Sequence, residues 1–121
     1  MAYTILILEN NELNMKLFND VLQTNGYDTI QCIDSQKIVQ LASKNKPDLV
    51  LIDVQFLEIF NLDLIKKLKS ENVLKRVPFI AVTAHAMEGD ETKLIEEGYD
   101  GYIAKPISVT KFLVSVSEFL K

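Results

Sequence analysis

Four polar residues stand where apolar runs stop. Glu9 follows Ile-Leu-Ile-Leu, Asp53 follows Leu-Val-Leu-Ile, Thr83 follows Phe-Ile-Ala-Val, and Lys105 follows Tyr-Ile-Ala. Brought to one rim, they would place two carboxylates, a hydroxyl and an ammonium together. Neighbouring carboxylates repel, so they need a cation between them or a proton on one. The ligand atoms on offer are oxygen or amide, which favours Mg²⁺ over zinc. A carboxylate can also act as a nucleophile toward a phosphoryl group and form an aspartyl phosphate. That transfer needs little beyond positioning and charge neutralisation. Mg²⁺ and Lys105 would offset the phosphoryl oxygens, and Thr83 could donate a hydrogen bond to one of them. Taken alone, Asp53 reads equally well as a turn residue or helix cap, so the chemistry depends on what the fold brings together.

The runs themselves supply the frame. Leu49 to Ile52 is too short for a helix and lacks its period, so it suits a strand buried on both faces, introduced by a turn at Pro47. Tyr3 to Leu8 reads the same way. Pro78 to Val82 is a further buried strand, with Pro78 tolerated at its first position. Tyr27 to Ile33 is a weaker strand, and Asp100 to Ala104 a short one. Between them lie amphipathic stretches. The first carries Leu13, Leu17, Phe18, Val21 and Leu22, with Asn10 and Asn11 offering the cap and Gly26 the stop. Asp34 or Ser35 can cap the next, with Ile38, Leu41 and Ala42. A third carries Leu62, Ile65 and Leu68. A sparse fourth runs from about Met87 to Glu97 and is stopped by Gly98. The last holds Val109, Phe112, Leu113, Val116, Phe119 and Leu120.

Five strands alternating with five helices predict a doubly wound α/β fold. Right-handed crossovers leave few arrangements. The flavodoxin-like (βα)5 order 2-1-3-4-5 puts the switch point between the first and third strands, the ones ending on Glu9 and Asp53. Thr83 and Lys105 then fall on the same edge.

Bulk properties exclude several classes. At 121 residues the chain reads as one domain, 1–121, with enough apolar residues for a core. A net charge of −4 leaves no basic footprint for nucleic acid or an anionic membrane. No apolar run approaches the ~20 residues of a membrane span. A single cysteine and no signal peptide predict a cytoplasmic protein. Cys32, with no nearby histidine, reads as a core thiol and not a nucleophile. A flavin carrier of this fold would need a hydroxyl- and Gly-rich loop after the first strand. Glu-Asn-Asn-Glu-Leu would repel a phosphate there.

The residues Ile-Leu-Glu-Asn-Asn, Leu-Val-Leu-Ile-Asp-Val-Gln, Ile-Ala-Val-Thr-Ala and Tyr-Ile-Ala-Lys-Pro resemble the receiver domain of two-component response regulators along the whole chain. Two longer stretches, Asn-Glu-Leu-Asn-Met-Lys-Leu-Phe-Asn-Asp and Lys-Pro-Ile-Ser-Val-Thr-Lys-Phe-Leu, are similar to the DivK-type single-domain cell-division regulators. The resemblance implies that Asp53 is the phosphoacceptor, charged by a histidine kinase or a histidine phosphotransfer protein. It implies that Thr83 and Lys105 sense the acyl phosphate, that Tyr102 is the switch aromatic, and that the peptide before Pro106 is cis. Gln55 and His85, each two residues past a site residue, would tune phosphate lifetime; from its own surroundings in sequence His85 reads more readily as a solvated or capping residue. No acid–base pair or deep-pocket motif points to an independent enzyme with a small-molecule substrate, so at most slow self-phosphorylation and autodephosphorylation are expected. A stand-alone receiver would signal by binding downstream regulatory proteins, with no nucleic acid or membrane involved.

Departures from the family pattern leave a second reading. Two adjacent acids usually follow the first strand, and here they are Glu9 and Asn10. Two carboxylates against one Mg²⁺ sum to about zero charge, which predicts weaker metal binding and slower phosphorylation. Alternatively Asn10 only helps to cap the helix, and Mg²⁺ still binds through Asp53, Glu9 via water and the Gln55 backbone carbonyl. At the extreme the chain is a pseudo-receiver that binds partners without phosphorylation. The loop after Asp53 is unusually apolar at Phe56, Leu57, Ile59 and Phe60. It either packs on its neighbouring helix or exposes a patch for a partner or for self-association.

Overall fold

The computed structural model describes residues 3–9, 11–34, 37–53, 64–72, 74–83, 95–96, 98–104 and 107–120. Within them lie five strands: β1 (Thr4–Leu8), β2 (Asp28–Cys32), β3 (Leu49–Asp53), β4 (Phe79–Thr83) and β5 (Gly101–Ala104). Four helices accompany them: α1 (Glu12–Thr24), α2 (Ile38–Asn45), α3 (Leu64–Ser70) and α4 (Val109–Phe119). The strands form one parallel sheet in the order β2-β1-β3-β4-β5, the order expected from the sequence. Most of the helix expected over Met87 to Glu97, and the apolar loop after Asp53, lie outside the described residues.

Alternation along the central strands divides the core in two. Leu6, Leu8, Val50, Ile52, Phe79 and Ala81 pack with Ile38 and Ala42 of α2 and Leu68 of α3. Ile5, Ile7, Leu49, Leu51, Ile80 and Val82 pack on the other face with α1 and α4. There Phe18 and Phe112 stack at 5.6 Å between ring centroids. Both faces of β3 and β4 are buried, which is why their sequences are apolar runs without alternation. Each fully buried Leu or Ile contributes roughly 1.5–3 kcal/mol through removal from water.

Local chemistry sets the ends. Asn11 caps α1, its side-chain oxygen accepting from the Asn14 N–H at 3.0 Å. Gly26, at φ 88°, closes the helix as the sequence predicts, with its N–H donating to the Gln23 carbonyl and Tyr27 N–H to that of Leu22. At the start of α2, Lys37 directly precedes the helix in a helical conformation, and its N–H donates to the Asp34 carbonyl; Ser35, the other residue expected to cap it, lies outside the described residues.

The buried face of α1 differs from expectation. Met15, Phe18 and Leu22 point inward, whereas Leu13 is 79% exposed and Leu17 41%. Five apolar positions make a stripe wider than one sheet face covers, and Leu13 and Leu17 fall at its outer margin. On α3 Leu68 is buried, while Leu62 and the Ile65 side chain lie outside the described residues. Cys32 is buried, its thiol donating to the Asp34 carbonyl, and loss of hydration pushes its pKa up. It is a core residue, as expected.

Candidate functional site

Among the described residues three polar side chains are buried at the carboxyl edge of the sheet. Glu9 directly follows β1 and is 1% exposed, Asp53 ends β3 at 5%, and Thr83 ends β4 at 3%. β1 and β3 are neighbours with Leu8 opposite Ile52, so Glu9 and Asp53 occupy adjacent strand ends. Strands lie about 4.8 Å apart, which sets two carboxylates side by side out of water. Both continue the alternation of the face packed by α1 and α4. β3 pairs with β4 with Asp53 opposite Val82, which puts Thr83 one residue further along. Thr83 in turn faces Ala104 of β5.

Glu9 is held from two sides. Its N–H donates to the Cys32 carbonyl at 3.1 Å, and its Oε1 accepts from the Asn11 N–H at 3.0 Å. Asn11 therefore links the acid to the first turn of α1, where the helix dipole favours negative charge. The sequence offered Asn11 only as a cap; the tie to Glu9 has no signature beyond its spacing of two residues.

Tyr102 lies on β5 opposite Ala81 and is 36% exposed. Paired residues of a parallel sheet share a face, so Tyr102, Ala81 and Thr83 lie on the same side, the one covered by α2 and α3. Asn10, Gln55, His85 and Lys105 lie outside the described residues. Among the described residues no cluster of three or more metal-binding side chains occurs. Two acids, with oxygen donors only, still make a set that suits Mg²⁺: a hard cation between them would offset charges that otherwise repel.

An open parallel sheet with acids at its switch point defines a class: a flavodoxin-like α/β protein whose crevice suits a cation, and through it a phosphoryl group, better than a bare phosphate. The chain belongs to the response regulator receiver domain family, whose profile matches residues 5–117. It is 42% identical over 120 residues to the polar-differentiation response regulator DivK of Brucella anthropi, covering 99% of this chain and 98% of that protein. Among solved structures it resembles the receiver domain of a sensor histidine kinase from Pseudomonas aeruginosa, with magnesium coordinated in that protein's active-site cleft. The TM-score is 0.85 at 25% identity, over 99% of this chain and 98% of the other. A chemotaxis response regulator of Vibrio cholerae shares the fold at a TM-score of 0.89 and 18% identity, over 99% and 100% of the two chains. The chain is thus a receiver-domain signalling protein similar to DivK. Among the described residues no helix is long and apolar enough to cross a membrane.

Proposed function

We propose that the chain is a phosphorylation-switched receiver that takes a phosphoryl group on Asp53 from a histidine kinase or histidine phosphotransfer protein. An Asp53 carboxylate oxygen attacks the phosphorus of the donor's phosphohistidine. The P–N bond breaks, its electron pair leaves with the imidazole, and the imidazole takes up a proton. The observation that carries this reading is the burial of Glu9 and Asp53 on adjacent strand ends at the switch point.

Glu9, Asn10, Asp53 and the Gln55 backbone carbonyl are the proposed holders of Mg²⁺, which when bound supplies charge neutralisation at the phosphoryl oxygens. Thr83 donates its hydroxyl to one of those oxygens and Lys105 its ammonium to another. Engaging Thr83 biases a two-state equilibrium that Tyr102, on the same face of the sheet, reports to the surface. Gln55 and His85 govern access of water to the acyl phosphate and so its lifetime. The output is binding to downstream regulatory proteins in cell-division control, in line with the likeness to DivK. The chain acts in the cytoplasm, without contact to nucleic acid or membrane.

Intact-mass detection after treatment with phosphoramidate tests this. Wild type should gain one phosphoryl group in the presence of Mg²⁺, and Asp53→Ala should gain none. Absence of an adduct in wild type at high Mg²⁺, repeated with a phosphorylated phosphotransfer protein as donor, overturns the reading in favour of a pseudo-receiver.

A further inference from the structure

The amino edge of the sheet carries charge of the opposite sign. Five of the chain's thirteen Lys and Arg residues fall between Lys66 and Arg76, against one acid, Glu71, in a protein of net charge −4. A groove of about 490 Å³ opens there, with Lys69, Lys75, Arg76 and one acid, Asp100, around it and Val77, Pro78 and Phe119 supplying its apolar surface.

The cations differ in what they do. Lys69 ends α3 and is used by the fold. Its ammonium pairs with Asp100, whose same oxygen accepts the Phe79 N–H at 2.8 Å, and it lies 5.3 Å from the centre of the Phe79 ring. Asp100 is thereby occupied in joining α3, β4 and the start of β5. Lys75 and Arg76 lie beyond the helix, exposed, and neither forms an ion pair among the described residues. Phe119 is positioned by Gly101, where an added Cβ would come within 2.6 Å of the ring. Glycine leaves room for the tip of that ring against the strand, and the ring lines the groove.

We propose that this groove docks an acidic segment of a partner protein, with an apolar side chain between its carboxylates. Arg76 offers a planar fork matched to a carboxylate, and Lys75 a second, mobile cation. The apolar residue would rest on Val77, Pro78 and Phe119. Nucleic acid is the poorer fit. Two cations beside an apolar surface do not make a phosphate track. Site and groove lie at opposite ends of the strands, about 15 Å apart, so the docked segment would not compete with phosphorylation at Asp53.

Fluorescence anisotropy with a labelled peptide Asp-Glu-Leu-Glu-Asp, its amide analogue Asn-Gln-Leu-Gln-Asn and a short oligothymidylate tests the proposal. The acidic peptide should bind the full chain at low salt and weaken as NaCl screens the charges. The amide analogue, or the double variant Lys75→Glu/Arg76→Glu, should lower affinity about tenfold or more. Lys16→Glu, an exposed charge reversal on α1 where Lys16 pairs with Asp20, carries half that change in net charge and should weaken binding far less than half as much on a logarithmic scale. Far-ultraviolet circular dichroism verifies that the variants are folded. No peptide binding at low salt, a loss from Lys16→Glu of half or more of the double variant's on that scale, or tighter binding of the oligothymidylate each overturns the proposal.

Discussion

The two edges of the sheet handle charge in opposite ways. At the carboxyl edge Glu9, Asp53 and Thr83 are drawn almost wholly out of water. At the amino edge Lys75 and Arg76 stand in solvent beside an apolar wall. Burying a carboxylate costs several kcal/mol before its partners offset it. A second carboxylate beside it raises the cost further. A fold that needed only stability would place an apolar or amide side chain at one of those strand ends. The amino edge faces no such penalty, since hydrated cations cost the native state little. The first edge therefore implies a ligand by its expense, and the second only by the shape and sign of what surrounds it.

Adding a charge to the expensive edge should produce the largest effect. Asn10→Asp adds a third carboxylate to the proposed Mg²⁺ holders. At an effective dielectric of about 20 a unit charge ~4 Å away is worth up to ~4 kcal/mol before desolvation is subtracted. Affinity for Mg²⁺, followed by titration calorimetry, should rise by tenfold or more, and phosphorylation by phosphoramidate should become faster. The same variant should lose stability without Mg²⁺, because three acids then repel. If Asn10→Asp changes neither affinity nor stability, the charge balance at the carboxyl edge is already complete, and the contrast between the edges weakens.

At the other edge the comparable change is steric. Gly101→Ala forces the Phe119 ring to move from a contact of 2.6 Å. Overpacking of this kind costs about 1–3 kcal/mol, which urea denaturation reads as a lower midpoint at unchanged slope. Phosphorylation of Asp53 should persist in the folded fraction. A loss of phosphorylation under folding conditions would mean that β5 couples the two edges.

Much of the carboxyl edge was legible in the sequence, and little of the amino edge. Leu49 to Asp53 and Phe79 to Thr83 announce themselves because a doubly buried strand has no polar alternation, so the residue that breaks the run marks the rim. The strand order followed from chain length and crossover handedness. The face of α1 was misread at Leu13 and Leu17 because a helical stripe shows which residues share a side but not how wide the opposing surface is. Met15 falls into place only once Phe18 is seen against Phe112. The groove draws on Lys69, Lys75 to Pro78, Asp100 and Phe119, four separate stretches that only the folded sheet assembles.

The smallest expected effect separates strain from function. Among the described residues the one non-glycine with positive φ is Lys46, at φ 48° and ψ 69°, closing α2 just before Pro47. It too lies at the amino edge, where the chain turns into β3. A left-handed residue with a Cβ costs roughly 1–2 kcal/mol, while glycine avoids that clash and gives up part of the gain as extra freedom in the unfolded chain. The Lys46 side chain is exposed, and the turn is held by backbone: its N–H donates to the Ala42 carbonyl at 2.7 Å. Two further bonds tie the next residues down, from Asp48 N–H to the Thr4 carbonyl and from Thr4 N–H to the Asp48 carboxylate. Lys46→Gly should therefore raise stability by about 0.5–1 kcal/mol, the balance of the two terms, leaving phosphorylation and peptide binding unchanged. A stabilised variant with both activities intact would mark this strain as a by-product of a tight turn. A stabilised variant that bound the acidic peptide less well would extend the docking surface to the α2–β3 turn and widen the functional part of the amino edge.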